Sequence, residues 1–63
     1  MIMFTNESPE DYLEKGEEYL NQGEYEKAIK EYENALNADP DFFYAWNDMG
    51  VAYANLGDAR KSI

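Results

Sequence analysis

Apolar residues recur at helical spacing along most of the chain. One stripe runs through the segment 9–21 and another through 25–37, each with polar residues between the apolar positions. Residues three and four positions apart lie on the same face of an α-helix, so each stripe predicts an amphipathic helix. The two stripes contain Tyr12, Leu13, Gly16, Tyr19 and Leu20, and then Tyr25, Ala28, Ile29, Tyr32, Ala35 and Leu36.

Capping residues predict the bounds of these two helices. Ser8 precedes Pro9, which suits the first helical position, and Asp11 completes a capping-box pattern. Gly23 is expected to end the first helix, because glycine adopts the left-handed conformation found after many helices. Pro40 follows the second helix and cannot continue it.

A third segment, 42–56, is apolar on nearly every side. Only Asn47, Asp48, Gly50 and Asn55 lie outside its apolar set. A helix of this kind expects neighbours on more than one side, and the rest of the chain supplies one.

Residues at the ends of this segment predict where the third helix begins and ends. Asp41 is expected to cap its first turn, and Gly57 is expected to end it near Leu56, as Gly23 ends the first helix. A truncated fourth helix then begins shortly before Ile63. The predicted fold class is therefore all-α, with three helices, a truncated fourth and no strand.

The chain repeats itself with a period of 34 residues. This shift aligns Tyr12 with Trp46, Gly16 with Gly50, Tyr19 with Tyr53, Asn21 with Asn55, Gly23 with Gly57 and Ile29 with Ile63. Such a period is typical of proteins that stack helical hairpins. Gly16, Gly50 and Ala28 are expected where paired helices approach closely, because a larger side chain would push the helices apart.

Two motifs resemble the tetratricopeptide repeat (TPR) family. They are Trp46-x-x-Met49-Gly50-x-x-Tyr53, similar to its helix A, and Ala28-x-x-x-Tyr32-x-x-Ala35 with Pro40, similar to its helix B and closing turn. The resemblance implies an α-solenoid fragment of antiparallel helix-turn-helix repeats. It divides the chain into an N-terminal extension (1–8), a first TPR repeat (9–42) and a truncated second TPR repeat (43–63). Lys15 replaces a usual apolar residue, which predicts a solvated outer turn.

Composition limits the chemistry of the chain. There is no histidine and no cysteine, so neither an imidazole base nor a thiolate is available, and we predict no enzyme, no cofactor and no metal site. Fourteen acidic residues against five basic ones give a net charge of −9, which repels nucleic-acid phosphates and anionic lipid headgroups. No apolar stretch approaches the ~20 residues that span a bilayer, and we expect a cytoplasmic protein.

The resemblance implies that a peptide segment of a partner protein binds on the concave face lined by helix A. The matching positions here are Glu10, Leu13, Glu17, Tyr44, Asn47, Val51 and Asn55. Acidic residues stand where the carboxylate clamp of chaperone-tail receptors has basic ones, so that clamp is absent. The acidic rim, the apolar contacts and the amides suit a basic, partly apolar peptide.

The alternative is a self-assembling structural unit whose truncated repeat is completed by another copy. Four residues of the third helix are expected to form an exposed apolar patch, namely Phe43, Trp46, Met49 and Tyr53. A patch of this kind marks an interaction surface, and a two-fold arrangement would close it on itself. We therefore expect a homodimer formed through the third helix. Dilution distinguishes the two hypotheses, because a self-completing unit dissociates and unfolds.

Overall fold

A computed structural model describes residues 8–61, which form three α-helices: α1 (Pro9–Asn21), α2 (Tyr25–Ala38) and α3 (Phe43–Lys61). These residues include no strand, and the all-α prediction is confirmed. The helix α2 packs against both α1 and α3, whereas α1 touches α3 only slightly. Most of the N-terminal extension and the last two positions of the expected fourth helix lie outside the described residues.

Local hydrogen bonds fix the bounds of α1 as the sequence predicts. The Ser8 backbone N–H donates to Asp11 Oδ2 at 3.1 Å, as a capping box requires. Gly23 has a φ of 80°, in the left-handed region that glycine enters without steric cost. The Glu24 N–H then donates back to the Tyr19 carbonyl at 2.9 Å, which satisfies a carbonyl at the end of the helix.

The end of α3 corrects the sequence prediction. This helix runs for 19 residues to Lys61 and continues through Gly57, where the prediction ended it and began a fourth helix. Gly57 does not share the positive φ of Gly23. Glycine permits a left-handed turn but does not impose one, and each further residue in a helix gains a backbone hydrogen bond. Among the described residues no later helix packs back to favour the turn.

The beginning of α3 also differs from the prediction. The helix begins at Phe43, so Phe42 occupies the cap position and accepts a hydrogen bond from the Ala45 N–H at 3.1 Å. The Asp41 N–H donates to Asp39 Oδ1 at 3.1 Å. Asp41 therefore belongs to a turn before the helix, and the expectation that it caps α3 was wrong.

The core lies on the two sides of α2. Its buried residues are Gly16 from α1, Ala28, Ile29, Tyr32, Ala35 and Leu36 from α2, and Ala45 and Ala52 from α3. Leu13 of α1 and Met49 of α3 are half-buried and pack against both groups of core residues. The small buried residues of α3 allow it to lie close against α2.

Gly16 and Gly50 occupy equivalent repeat positions but have different surroundings. A Cβ atom at Gly16 would lie 2.7 Å from Cδ1 and 2.9 Å from Cζ of the buried Tyr32 ring, so the predicted close approach of α1 and α2 is confirmed. A Cβ at Gly50 would meet nothing within 4 Å, and the same prediction for Gly50 was wrong. Among the described residues no later helix follows α3, and no ring lies against Gly50 as that of Tyr32 lies against Gly16.

Candidate protein-binding surfaces

The seven predicted peptide-binding residues lie on two helices, and we call them together the peptide face. Their spacing puts three on one side of α1 and four on one side of α3, namely Glu10, Leu13 and Glu17, and then Tyr44, Asn47, Val51 and Asn55. Leu13 and Asn55 are half-buried, and the other five side chains are exposed. Tyr44 and Val51 are the large apolar members, 72% and 42% exposed.

The Tyr44 ring is held by a neighbouring aromatic residue. It stands edge-on to Phe42, with ring centroids 6.0 Å apart and an interplanar angle of 77°. Phe42 is half-buried against Ala35, Leu36 and Ala45. An exposed aromatic ring with a fixed orientation loses little conformational entropy when it binds another molecule, so Tyr44 is suited to a contact role.

Beside the peptide face, a carboxyl group of α1 lies near a carboxyl group of α3. Asp48 on α3 acts on the carboxyl group of Glu17 on α1. Partial desolvation is the largest cause that raises the pKa of the Glu17 carboxyl, followed by hydrogen bonding with Asp48 and by the charges of Asp48 and Glu14. Each of these causes favours the protonated form of Glu17.

A buried hydroxyl group lies within the electrostatic range of this pair. The Tyr32 side chain comes from α2 and is fully buried, and its hydroxyl oxygen has no hydrogen-bond partner among the described residues. Desolvation and then the charges of Asp48 and Glu17 raise the pKa of Tyr32 to about 12. The phenol therefore stays neutral at physiological pH and keeps a proton available for donation.

The pairing of Glu17 with Asp48 and the nearby Tyr32 hydroxyl are features that the sequence analysis missed. The repeat gives only a partial signal, because it makes α1 and α3 equivalent helices without fixing which of their acidic residues approach each other.

Three of the four predicted self-association residues lie on one exposed side of α3. Phe43 is 77%, Trp46 51% and Tyr53 52% exposed, and together with Gly50 we call them the open face. Trp46 Nε1 donates to the Pro40 carbonyl at 2.9 Å, which fixes the indole against the loop before α3. Met49, the fourth residue of the set, instead packs inward against the core, as described above.

The open face is the repeat equivalent of a covered surface on α1. Tyr12, Gly16 and Tyr19 stand 34 residues before Trp46, Gly50 and Tyr53, and they are half-buried or buried. The difference follows from packing, because α2 covers that side of α1 whereas no described helix covers the matching side of α3.

No pocket or metal-binding cluster accompanies these surfaces within residues 8–61. This part of the chain encloses no pocket and holds no group of three or more acidic side chains arranged to bind a metal ion. None of its helices is long and apolar enough to cross a membrane. The candidate sites are therefore the peptide face on α1 and α3 and the open face on α3.

Comparison with known families agrees with the geometry. The family model described as TPR repeat matches residues 16–57, which is about two thirds of the chain. The matched region includes most of α1, all of α2 and most of α3. No curated protein and no solved structure gives a significant match. The chain belongs to the tetratricopeptide repeat family, whose repeats are non-catalytic modules of protein–protein interaction.

Proposed function

We propose that this TPR chain binds an extended peptide segment of a partner protein on its peptide face. The observation that carries the proposal is the exposure of Tyr44 and Val51 on the same side of α3 as the amides of Asn47 and Asn55. Apolar side chains provide contact area, and amide groups pair with the backbone of an extended peptide. Glu17, the α1 member of the peptide face, lies near these α3 residues, because Asp48 of α3 acts on its carboxyl group.

The charge of the surface supports a basic, partly apolar peptide as the ligand. Glu10 and Glu17 are exposed on the α1 side, and the whole chain carries a net charge of −9. Complementary charge raises association rates and selects against acidic competitors. The same charge disfavours nucleic acid and anionic membranes as partners. We propose a cytoplasmic role as a binding module without catalytic activity.

A peptide library displayed against the purified chain tests this proposal. We expect it to return peptides rich in Lys and Arg with one or two apolar residues, whose affinity falls as the Debye length shortens from ~10 Å at 0.1 M salt to ~3 Å at 1 M. Tyr44→Ala should weaken the best ligand about tenfold or more, because buried aromatic contacts dominate many interfaces.

Tyr53→Ala is the matched control for this experiment. It removes the same side chain from the same helix, but from the open face, and should leave peptide affinity within about twofold. Equal effects of the two substitutions, or selection of acidic C-terminal tails, would contradict the proposed ligand and its binding face.

The open face supports a second candidate function, in which two copies of the chain form a homodimer through α3. Phe43, Trp46 and Tyr53 form an apolar side that residues 8–61 of a single chain leave uncovered. Self-complementary packing of two such surfaces would bury all three side chains and close the assembly. In this case the chain is a structural unit completed by a second copy.

Sedimentation across a dilution series tests this candidate. We expect a dimer at micromolar concentration, with Trp46 fluorescence shifting to longer wavelength as dilution exposes the indole. Phe43→Glu should give a monomer, whereas Tyr44→Glu, on the adjacent residue but on the peptide face, should not. A folded monomer with exposed Trp46 at all concentrations would refute the homodimer.

A further inference from the structure

We propose that two copies of the chain join through an antiparallel pairing of α3, in which the glycines of one copy receive aromatic rings of the other. This inference rests on the homodimer given above as the second candidate function, and it names how the two copies recognise each other. Its basis is the order of large and small residues along α3, together with the charges at the two ends of this helix.

The exposed residues of the open face follow a heptad pattern. They are separated by three and four positions in turn, and the same spacing continues through Gly57 to Arg60 because α3 does not turn at Gly57. Alternating spacings of three and four allow two helices to pack along one seam with their axes about 20° apart. We call these six positions the seam, namely Phe43, Trp46, Gly50, Tyr53, Gly57 and Arg60.

Large and small residues alternate along the middle of the seam. Trp46 and Tyr53 each precede a glycine by four positions, and a Cβ atom at either glycine would meet nothing within 4 Å. A parallel pair of helices sets equal positions against each other, so rings would face rings and glycines would face glycines. An antiparallel pair sets unlike positions against each other, so that each ring fills the gap that a glycine leaves.

One antiparallel register uses the whole seam. In this register every aromatic ring faces either a glycine or the single arginine of the seam. The match extends over nearly all of the 19 residues of α3, which is possible only because the helix continues past Gly57. The facing positions in the two copies are Gly50 with Tyr53, Trp46 with Gly57, and Phe43 with Arg60.

The charges at the ends of α3 favour the same orientation. Its last turn is basic, with Arg60 and Lys61, whereas the loop before the helix carries the exposed Asp41. An antiparallel pair puts each basic end beside the acidic loop of the other copy, while a parallel pair puts like charges together. The Arg60 side chain is 66% exposed, so its guanidinium can keep its bond to Glu26 while the Phe43 ring of the second copy covers its face.

The exposed rings set the size of the interface. Phe43, Trp46 and Tyr53 are 77%, 51% and 52% exposed, and an aromatic side chain buries about 150–250 Å², so the six rings of a pair offer roughly 500–900 Å². The bond from Trp46 Nε1 to the Pro40 carbonyl already orients the indole, which lowers the entropy lost on docking. Stable interfaces bury about 1,200–2,000 Å², and residues flanking the seam must supply the difference. We therefore expect a dimer that dissociates in the micromolar range.

Disulfide cross-linking tests the orientation, because the chain has no cysteine of its own. Phe43→Cys and Arg60→Cys are made as two single variants, which change the ends of the seam and keep its middle. Each variant is oxidised with glutathione disulfide alone and in an equal mixture with the other, and the products are weighed by mass spectrometry. We expect a mixed cross-linked dimer to exceed the dimer of either single variant several-fold.

Glu18→Cys, on an exposed position of α1, is the matched control for this experiment. Its mixture with Phe43→Cys measures the cross-linking that random collision produces. Cross-links that form mainly within Phe43→Cys alone and within Arg60→Cys alone would show a parallel pair and would overturn the antiparallel seam.

Enlarging Gly50 tests whether the gap receives a ring. Gly50→Leu should weaken the dimer about tenfold or more, because each pair contains two such gaps. The single chain should keep its helical circular dichroism, because a side chain at Gly50 points into open space. Val51→Leu enlarges the next residue on the peptide face and should leave the dimer within about twofold. Equal effects of the two substitutions would refute the gap.

Sedimentation separates this inference from the proposed homodimer. If the chain dimerises and Phe43→Glu makes it monomeric, but cross-links form within the single variants, the antiparallel seam is wrong and the homodimer through α3 stands. If the chain sediments as a monomer at all concentrations and the mixture gives no cross-link beyond the Glu18→Cys control, both are wrong.

Discussion

The same substitution at two repeat-equivalent glycines should change stability in opposite directions. Gly16→Ala places a methyl group 2.7 Å from Cδ1 of Tyr32, well inside the ~3.5–4.0 Å of a normal carbon contact. The ring is fully buried and has little room to move away. Gly50→Ala places the same group in open space, with no neighbouring atom within 4 Å.

The expected magnitudes follow from two terms. Replacing glycine by alanine inside a helix gains about 0.8–1.0 kcal/mol of helix propensity at either site. Overpacking a filled core costs about 1–3 kcal/mol and applies only at Gly16. Gly50→Ala should therefore stabilise the chain by about 1 kcal/mol, and Gly16→Ala should destabilise it by up to ~2 kcal/mol. Because the propensity term cancels, the difference between the variants measures overpacking alone.

Thermal and urea unfolding followed by circular dichroism at 222 nm provide the assay. A chain of 63 residues has an expected stability of roughly 3–9 kcal/mol, so the effect is a substantial fraction of the total. For a domain of this size ~1 kcal/mol shifts Tm by about 4–8 °C, so the two variants should differ by at least ~4 °C. Measurements at low protein concentration keep the open face uncovered. If both variants shift Tm in the same direction by the same amount, the close approach of α1 and α2 at Gly16 is refuted.

Three further predictions test other features of the structure. Gly57→Ala should leave Tm unchanged or raise it, because α3 continues through this residue. Gly23→Ala should lower Tm, because it forces alanine to a φ of 80°. A loss of stability at both sites would support the helix end at Gly57 that the sequence predicted. Glu17→Gln should raise Tm at pH 7 by removing repulsion within the carboxyl pair. This gain should vanish below pH 4.5, where the raised pKa keeps the wild-type carboxyl protonated, so a pH-independent gain would exclude the pair as its cause. A double-mutant cycle between Arg60 and Glu26, whose side chains meet at 2.7 Å but are 66% and 70% exposed, should give a coupling of less than about 1 kcal/mol that disappears in 1 M salt.

Local signals in the sequence were sufficient for the first two helices. Ser8 and Asp11 cap α1 through bonds between residues three apart, and Gly23 turns the chain through its own backbone freedom. The periodicity of α2 likewise predicted its buried side from Ala28 to Leu36. The 34-residue repeat identified the family, because equivalent packing positions recur in each repeat.

The same signals failed wherever the outcome depends on which helix packs against which. Gly57 matches Gly23 in sequence, yet it lies inside α3, and Gly50 matches Gly16, yet it faces open space. At Gly57 and Gly50 a turn or a close approach would need a further packed helix, and no described helix follows α3.

The candidate site divides in the same way. The sequence determined that α1 is acidic on one side and that α3 carries exposed apolar residues and amides, because helical periodicity assigns residues to faces. Only the tertiary structure decided that Glu17 meets Asp48 and that Tyr32 brings a buried, unpaired hydroxyl into their electrostatic range. These contacts join three helices, and the distances between helices are set by side-chain packing, which no local pattern in the chain encodes.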